Sequence, residues 1–284
     1  MERVTWVECP RDAWQGLPVA PSTPDKVGHL RDLLAAGFDH LDLGSFVSPR
    51  AVPQLADTEA VLAALEAPGT ADLLCIVGNA RGLERAKLAA GVSSVGYPLA
   101  VSDTFQRRNV GTSVAEAWEV VGELLAGAEK AGIDVVVYVS MGFGNPYGDP
   151  WDPEVTAAAV ARARAMGVRR VALADTLGDA DAEAVGAVLS AVDRPQELGL
   201  HLHSRPRAWA AKVEVALTNG VRWFEGALAG VGGCPFAADE LVGNLPTESV
   251  LPWLVDQGFA VAPDLTRLAR LARDARRLAG LADA

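Results

Sequence analysis

Two histidines two residues apart are the strongest candidates for chemistry in the sequence. Residues 199–203 have the apolar pattern of a short β-strand. Because the side chains of a strand alternate between its two faces, His201 and His203 point the same way, while the leucines beside them face the opposite layer. Two converging imidazoles form half of a site for a divalent metal ion that accepts nitrogen and oxygen ligands. Since the chain has only four histidines, we favour a metal site over a pair of hydrogen-bonded core histidines.

Elements that could position this pair recur along the whole chain. Apolar runs predict eight strands, near residues 4–8, 38–43, 73–77, 93–97, 135–139, 170–174, 199–203 and 222–225. Helical patterns follow them near residues 23–36, 57–66, 81–90, 114–131, 153–166, 181–191 and 207–218, with extra C-terminal helices near 248–257 and 264–278. Eight strand–helix units in succession predict an α/β fold in which a parallel sheet closes into a TIM barrel.

The connections between these elements indicate one domain. A glycine follows five of the helical patterns just before the next strand, where many helices need a residue in the left-handed conformation. These glycines are Gly37, Gly91, Gly132, Gly167 and Gly220. No linker rich in serine, proline or glycine divides the chain, so we predict a single barrel domain over residues 1–284.

Polar residues gather at the predicted carboxyl ends of the strands, where TIM-barrel enzymes hold their catalytic groups. They are Arg11, Asp12, Asp42, Asn79, Tyr138, Asp175, His201, His203 and Glu225. Asp12 can offer a carboxylate ligand to the histidine pair, and Arg11 can bind a carbonyl or carboxylate group with its planar fork. An arginine–aspartate pair on a loop is, on its own, more often a salt bridge.

A glycine-rich loop follows the eighth predicted strand and carries Cys234. Four glycines lie between residues 226 and 233, and we predict that they make the loop mobile. Cys234 is either an ordinary loop cysteine or a general acid carried on a lid. Asn244, at the end of the loop, either forms a turn or offers its amide oxygen to a hard cation.

Composition limits the partners and the location. The formal net charge of −11 disfavours nucleic acids and anionic membranes as partners. The longest apolar run, residues 133–144, is too short to cross a bilayer. The three cysteines have no C-x-x-C spacing, which argues against disulfides and a cysteine zinc site. With no signal-peptide pattern at the N-terminus, we expect a cytoplasmic protein with reduced thiols.

The last helical pattern bears on oligomeric state. Leucines recur along residues 264–278, and they can pack against the barrel of their own chain or against a second copy. We expect a homodimer.

Several short strings occur in order between about residue 4 and residue 260. They are Pro10-Arg11-Asp12-x-x-Gln15, Ser45-Phe46-Val47-Ser48-Pro49, Val52-Pro53-Gln54, Asp175-Thr176-x-Gly178, His201-x-His203, Gly232-Gly233-Cys234-Pro235-Phe236 and Gly243-Asn244-Leu245-x-Thr247-Glu248. Together they resemble the motifs of the 3-hydroxy-3-methylglutaryl-CoA lyase family, which belongs to the metal-dependent lyases and synthases built on a TIM barrel.

The resemblance implies a set of site residues. A Mg²⁺ or Mn²⁺ ion would be held by Asp12, His201, His203 and Asn244. Arg11 would bind the substrate carbonyl group, Cys234 would donate a proton, and Tyr138 and Asp175 would line the pocket. Asp42 and His201 complete the catalytic residues that we predict.

The resemblance also implies a reaction, and the residue types suit it. An acyl-CoA substrate such as 3-hydroxy-3-methylglutaryl-CoA would be cleaved to acetyl-CoA and a keto acid, acetoacetate. The metal would orient the substrate hydroxyl group and lower its pKa. Arg11 would lie where the charge of the enolate develops, and a thiol on a lid would protonate the carbanion once water is excluded.

The sequence departs from the family pattern near the expected substrate pocket. Ala13-Trp14 stands where the family has Gly-Leu, Asp42 where it has Glu, and Pro18 where a lysine is expected near the CoA entrance. These changes keep open an aldolase or lyase that acts on a free hydroxy acid or a 4-hydroxy-2-keto acid. A metal hydrolase is disfavoured because such barrels carry His-x-His after the first strand, and a non-catalytic metal-binding barrel is a more distant alternative.

Overall fold

The computed structural model describes residues 1–65, 69–205, 207–233 and 242–281. Within them, eight parallel strands close into a barrel in sequence order. The strands are β1 Thr5–Glu8, β2 His40–Ser45, β3 Asp72–Ile76, β4 Ser94–Ala100, β5 Asp134–Ser140, β6 Arg170–Asp175, β7 Leu198–Leu202 and β8 Trp223–Gly226. Every predicted strand is present, so the predicted barrel is confirmed.

Helices surround the barrel and follow its last strand. They are α1 Pro10–Gln15, α2 Thr23–Ala35, α3 Thr58–Ala64, α4 Ala80–Leu88, α5 Asp103–Asn109, α6 Val114–Glu129, α7 Pro153–Ala165, α8 Ala182–Ala191, α9 Trp209–Thr218, α10 Thr247–Asp256 and α11 Leu268–Leu278. All of the predicted helical patterns correspond to helices. The sequence does not predict the short helices α1 and α5, and α1 holds Arg11 and Asp12 directly after β1.

The turns from helix to strand form as predicted. All five glycines have positive φ angles: 86° at Gly37, 81° at Gly91, 67° at Gly132, 97° at Gly167 and 87° at Gly220. A residue with a Cβ atom is strained in this conformation. These turns set where each following strand begins, and therefore which of its residues reach the far end of the barrel.

The chain returns from the glycine-rich loop as an extended segment beside the mouth of the barrel. Asn244 in this segment forms an isolated antiparallel bridge with His203, just after β7. The neighbouring Gly243 passes close to Gly230, since a Cβ at Gly243 would lie 2.2 Å from the Gly230 carbonyl oxygen. This close approach brings the segment onto the end of the barrel.

Glu8, at the end of β1, forms hydrogen bonds with residues on both sides of the glycine-rich loop. Its carboxyl group accepts hydrogen bonds from the Leu228 N–H group (2.7 Å) and from the Thr247 hydroxyl (2.6 Å). Trp6 Nε1 donates a third at 3.3 Å. Burial raises the pKa of Glu8 to about 8, although these hydrogen bonds act in the opposite direction.

The C-terminal helix α11 packs against its own chain. Leu268, Leu271 and Leu278 are buried, and α11 contacts α2 and α10. Packing on the barrel therefore accounts for the leucine pattern, and the homodimer stays a prediction. Among the described residues, no helix combines the length and the apolar character needed to cross a bilayer.

Candidate active site

Three of the four predicted metal ligands converge at the carboxyl end of the barrel. Asp12 of α1, His201 of β7 and His203 offer ligand atoms that all lie within 4.8 Å of one another, and all three residues are buried. The two imidazole centroids are 5.1 Å apart. Strand alternation brings the imidazoles together, and α1, which directly follows β1, places Asp12 beside them.

Neighbouring side chains hold Asp12 as a carboxylate. Its Oδ1 accepts hydrogen bonds from Gln15 Nε2 (2.6 Å) and Arg11 Nη1 (3.0 Å). Its Oδ2 lies 3.7 Å from His203 Nε2. Burial opposes the charge, but Arg11 and the two histidines outweigh it and hold the pKa of Asp12 well below its ordinary value. Asp12 is therefore ionised at neutral pH.

Oxygen atoms behind the two imidazoles orient the rings. His201 Nδ1 lies 2.9 Å from Glu225 Oε2, and His203 Nδ1 lies 3.4 Å from the Thr176 carbonyl oxygen. These contacts leave Nε2 of each ring for a metal, the usual arrangement behind metal-binding histidines. Glu225 is fully buried and also accepts a hydrogen bond from the Tyr138 hydroxyl at 3.1 Å. The strand-end pattern located Glu225, but its contact with His201 was not predicted.

Glu225 favours the charged form of His201. Burial disfavours a charged His201, but the hydrogen bond and the charge of Glu225 outweigh it, and the pKa of His201 is raised. Burial and the nearby Glu225 carboxylate raise the pKa of Tyr138 well above its ordinary value. Tyr138 therefore stays a neutral phenol that donates a hydrogen bond to Glu225.

Asn244 completes the set of predicted ligands. Its Nδ2 donates hydrogen bonds to Asp12 Oδ2 (2.7 Å) and to the Val231 carbonyl oxygen (2.9 Å). Gly232 permits this approach, because it has a φ of 114° and a Cβ there would lie 2.5 Å from Asn244 Nδ2. The N–H group of Gly233 donates to Asp12 Oδ2 at 3.2 Å. The glycine-rich loop is thus bound to the cluster on both of its flanks.

Two buried atoms of the cluster have no hydrogen-bond partner within the described residues. They are His203 Nε2 and Asn244 Oδ1. Unpaired buried polar atoms are costly and rare in folded proteins, and an imidazole nitrogen and an amide oxygen are both common metal ligands. With Asp12 and His201 they form a mixed nitrogen and oxygen donor set, so these residues fit a divalent metal ion.

A second group of potential ligand atoms, from Cys9, His201 and Glu225, also lies within 4.8 Å. Burial and the Glu225 charge raise the pKa of Cys9 well above its ordinary value, so this residue is a neutral thiol and a poor ligand. Glu225 is already bound to His201 and Tyr138. Glu225 therefore orients His201, and this second group of atoms does not form a rival metal site.

Carboxylates on two sides hold Arg11 in place. Its Nη2 lies 2.5 Å from Asp42 Oδ2, its Nε lies 3.0 Å from the same oxygen, and its Nη1 binds Asp12. Burial works against the charge of Arg11, but the two aspartates outweigh it and its pKa is raised. Burial raises the pKa of Asp42 to about 6, with Arg11 acting in the opposite direction. At neutral pH the site therefore holds a guanidinium cation fixed between two carboxylates.

Asp175 lies apart from the cluster. Its Oδ2 is bound by Lys212 Nζ of α9 at 2.9 Å, and the same ammonium group binds the His203 carbonyl oxygen at 2.9 Å. Asp175 does not line the cavity beside the cluster, whereas its neighbours Ala174 and Thr176 do. Lys212 was not predicted, because nothing in the sequence distinguishes it from a surface lysine on a helix.

A cavity of about 690 Å³ opens beside the cluster. Its wall includes Arg11, Asp12, Tyr138, His201 and His203, so the charged groups face a space of the size that binds small molecules. Cys234 and the rest of residues 234–241 lie outside the described residues. The position of Cys234 over this cavity, and the mobility of its loop, are therefore still predictions.

Comparisons with known proteins find relatives along almost the whole chain. Residues 3–274 match the HMGL-like family model. The chain is 32% identical over 265 residues to hydroxymethylglutaryl-CoA lyase of Pseudomonas mevalonii, which covers 92% of this chain and 87% of that protein. It is 34% identical over 282 residues to (R)-citramalyl-CoA lyase of Chloroflexus aurantiacus, covering 94% and 88%. An HMG-CoA lyase of Acinetobacter baumannii, solved with coenzyme A and 3-methylmalate, superposes with a TM-score of 0.89 at 28% identity over 98% of this chain and 92% of that one.

Proposed function

The chain belongs to the HMGL-like family of carbon–carbon lyases, and on this basis we propose that it cleaves a β-hydroxy acyl-CoA thioester of the 3-hydroxy-3-methylglutaryl-CoA type. The observation that carries the proposal is the cluster of Asp12, His201, His203 and Asn244, with two unpaired ligand atoms, directly beside the fixed Arg11 cation. This is the combination that a retro-aldol type of cleavage needs, namely a metal for a hydroxyl group and a cation for an enolate.

The proposed reaction breaks the bond between C2 and C3 of the acyl group. The hydroxyl group on C3 loses its proton and becomes the ketone of acetoacetate. The electron pair of the broken bond goes to C2 as the enolate of the thioester. Protonation of C2 then gives the methyl group of acetyl-CoA. The site must therefore favour loss of one proton, stabilise one negative charge and deliver one proton.

The metal that we propose is Mg²⁺ or Mn²⁺, held by Asp12, His201, His203 and Asn244. When bound there, it would lower the pKa of the substrate hydroxyl group and orient it. Glu225 makes the His201 imidazole more basic and fixes its tautomer, so we keep His201 among the catalytic residues as well as the ligands. The carboxylate, imidazole and amide donors suit these ions, while the neutral Cys9 thiol stays outside the donor set.

Arg11 is proposed to stabilise the enolate. Its guanidinium group lines the cavity and cannot swing away, because Asp42 and Asp12 bind it from two sides. A donor that is already in place when charge develops lowers the barrier without any cost of reorganisation. We assign Asp42 the role of positioning Arg11, since Asp42 is fully buried and does not itself line the cavity.

Tyr138 and Asp175 have indirect roles in this proposal. Tyr138 lines the cavity with its ring and holds Glu225 through its hydroxyl group. Asp175 binds Lys212, which in turn binds the backbone of His203. We propose that this buried ion pair fixes the position of the His203 backbone and does not contact the substrate.

Cys234 is proposed as the proton donor to C2. We expect Cys234→Ser to lose most of its turnover while metal affinity is retained, because serine keeps the size of the side chain but gives up its proton far less readily. Cys75→Ser is the matched control, since Cys75 is fully buried within β3 and should keep its turnover. Wild-type turnover in Cys234→Ser would remove Cys234 from the mechanism.

Product analysis with a substrate panel tests the proposed function. Purified protein with Mg²⁺ or Mn²⁺ should release acetyl-CoA and acetoacetate from 3-hydroxy-3-methylglutaryl-CoA, and chelation should stop the reaction. The free acid 3-hydroxy-3-methylglutarate and a 4-hydroxy-2-keto acid belong in the same panel. Cleavage of a free acid alone would select the alternative lyase instead. The bulk of Trp14 does not favour that alternative, because Trp14 is buried against His29 and does not line the cavity.

We also propose that the protein is cytoplasmic and homodimeric. The acidic net charge and the CoA substrate class are compatible with a metabolic enzyme of the cytoplasm. Fractionation of cells tests the location, and sedimentation of the purified chain tests the homodimer.

A further inference from the structure

Asn244 is the proposed metal ligand that depends most on an irregular segment. Asp12 lies on α1, and His201 lies on β7 with His203 directly after it. Asn244 belongs instead to residues 242–246, which connect the glycine-rich loop to α10 and which we call the returning segment. Since this segment is part of neither a helix nor the barrel sheet, the position of Asn244 depends on what the segment contacts.

Backbone hydrogen bonds join the returning segment to the turn after β8. The N–H group of Ala227 donates to the Leu245 carbonyl oxygen at 3.0 Å, and the N–H group of Asn244 donates to the Gly230 carbonyl oxygen at 3.1 Å. Ala229 lies between these contacts with a φ of 61°, a conformation that a residue with a Cβ atom keeps only where its surroundings impose it. The returning segment is therefore held firmly only if other contacts hold this turn.

The side chain of Glu8 joins this turn to the start of α10. One carboxyl oxygen binds the N–H group of Leu228 in the turn, and the other binds the hydroxyl group of Thr247, which directly follows the returning segment. The barrel sheet fixes Glu8 itself, because the pairing of β1 with β8 places it beside Gly226. One side chain of the sheet thus holds the chain on both sides of the contacts that position Asn244.

The proposed reaction has no use for Glu8. Its side chain does not line the cavity and is not among the clustered ligand atoms, yet Glu8 is only 1% exposed. Burying a carboxyl group costs free energy. An apolar residue would avoid this cost, but it would leave the Leu228 N–H group and the Thr247 hydroxyl group without this partner. The two contacts are therefore the reason for a carboxyl group at this position.

Resting on the proposed function, we propose that Glu8 is a positioning residue, which holds the returning segment through Leu228 and Thr247 so that Asn244 reaches the metal ion. Without these hydrogen bonds the segment would occupy several positions, and only a fraction of the molecules would present the complete set of ligands. The measured metal affinity falls by that fraction. The loss is partial, because the other proposed ligands keep their own partners.

The role needs hydrogen bonds and not a negative charge. With a pKa raised by burial to about 8, Glu8 is mostly neutral at neutral pH. A neutral carboxyl group can accept from the Leu228 N–H group with one oxygen and donate to the Thr247 hydroxyl group with the other. Glu8→Gln offers the same acceptor and donor, so its Mn²⁺ affinity should stay close to that of the wild type. Glu8→Met offers neither, and its Mn²⁺ dissociation constant should rise about tenfold.

A double-mutant cycle tests whether Glu8 acts through Asn244. Asn244→Ala removes the proposed ligand oxygen and should itself lower the Mn²⁺ affinity. If Glu8 acts by positioning Asn244, adding Glu8→Met to Asn244→Ala should lower the affinity no further. Titration calorimetry and Mn²⁺ electron paramagnetic resonance on substrate-free protein measure the affinities. Full additivity of the two losses would mean that Glu8 supports the fold in general, and it would overturn the inference.

Thr156→Val is the matched control for the loss of a buried hydrogen bond. Thr156 is fully buried in α7, its hydroxyl group donates to the Gly142 carbonyl oxygen at 2.8 Å, and it does not line the cavity. This variant should lower the free energy of unfolding in urea and keep the wild-type Mn²⁺ affinity. Thr247→Val should lower the affinity as Glu8→Met does, and Thr247→Ser, which keeps the hydroxyl group, should restore it.

The outcomes separate this inference from the proposed function. Wild-type Mn²⁺ affinity in Glu8→Met, or an equal loss in Thr156→Val, would overturn the inference and leave the proposed function intact. If Glu8→Met fails to fold, the pair Thr247→Val and Thr247→Ser decides. Wild-type protein that binds Mn²⁺ but cleaves no thioester would overturn the proposed function, while the affinities of the variants would still decide the role of Glu8. Wild-type protein that binds neither Mn²⁺ nor Mg²⁺ would overturn both.

Discussion

The wall of the cavity has a charged half, which holds Arg11, Asp12 and the two histidines, and an apolar half across the barrel, which includes Ile76, Pro98 and Phe105. Different forces hold the side chains of the two halves in place. In the charged half, polar contacts fix the side chains, as Asp42 fixes Arg11, Glu225 fixes His201 and the Thr176 carbonyl oxygen fixes His203. In the apolar half, residues such as Phe105 are fixed by packing and by the anchoring of their helix. The charged half should therefore respond steeply to single changes of polar atoms, and the apolar half gradually to changes of volume.

The largest effect should come from removing a proposed metal ligand in the charged half. His203→Ala deletes an imidazole nitrogen that is buried and unpaired. We expect metal affinity to fall by more than about 100-fold and turnover to be lost, because loss of a ligand should exceed the effect of losing its outer partner. Titration calorimetry with Mn²⁺ measures the affinity. His40→Ala is the control, and equal affinity in both variants would break the assignment of the cluster.

The next effect concerns the cation of the charged half. Arg11→Lys keeps the charge but loses the planar fork that spans Asp42 and Asp12. We expect kcat to fall by about 10²–10³-fold with a small change in KM, the result for a donor that acts mainly in the transition state. Steady-state kinetics distinguish the two constants, with Arg3→Lys at the opposite end of the barrel as the control. A rise in KM at constant kcat would make Arg11 a binding residue only.

A smaller effect on metal affinity is expected from Glu225, the partner of His201 Nδ1. Glu225→Gln weakens the acceptor of His201 Nδ1 without emptying the space, and metal affinity should fall by about 10–100-fold. Tyr138→Phe removes the other partner of Glu225 and should leave metal affinity close to that of the wild type. Both affinities can be measured on substrate-free protein. The comparison fails if Tyr138→Phe weakens the metal as much as Glu225→Gln does.

The last two effects concern the stability of the fold and not activity: the carboxyl groups of Glu8 and Asp149, which hold the two halves, depend on pH with opposite signs. Glu8 is buried, and its pKa of about 8 lies above the ordinary 4.5, so its contribution to stability is fully present below pH 4.5 and is lost as pH rises to about 8. The pKa of Asp149 is lowered by the Ser102 hydrogen bond, so its contribution is present above the ordinary pKa and is lost as pH falls through the lowered value.

Unfolding in urea between pH 4 and pH 9 measures the Glu8 effect. Glu8→Gln cannot ionise, so its stability relative to the wild type should rise between pH 4.5 and pH 8, by on the order of a few kcal/mol. The stability of Asp149→Asn relative to the wild type should not change with pH between pH 4.5 and pH 8. Parallel curves for Glu8→Gln and the wild type would mean that Glu8 is already ionised in the folded protein.

The charged half was largely predictable from the sequence. Strand alternation placed His201 and His203 on one face, and the rule that barrel sites lie at strand ends added Asp12. These inferences need only local periodicity and chain order. Asp175 shows their limit, since it also follows the rule but faces Lys212, a partner on another element. Which way a strand-end side chain turns depends on such distant partners.

The apolar half could not be predicted, because it is built from residue types that also fill the core. Phe105 belongs to α5, a seven-residue helix that was missed although Ser102 caps it. Nothing in the identity of Phe105 distinguishes a cavity wall from ordinary packing. Its role depends on where the chain leaves β4 and on the contact between Asp149 and the start of α5. Both are consequences of the folded structure.

The hydrogen bond between Asp12 and Asn244 has a consequence for the order of folding. The two residues are 232 positions apart in the chain, and they meet at the seam where β1 pairs with β8. Ordering a contact over such a long separation costs loop-closure entropy that earlier contacts must already have offset. The cluster that we propose to hold the metal is therefore complete only after the last strand has joined the first. A bound ion would link the two ends of the chain, so chelation should lower the resistance of this seam to proteolysis before it affects the strands opposite.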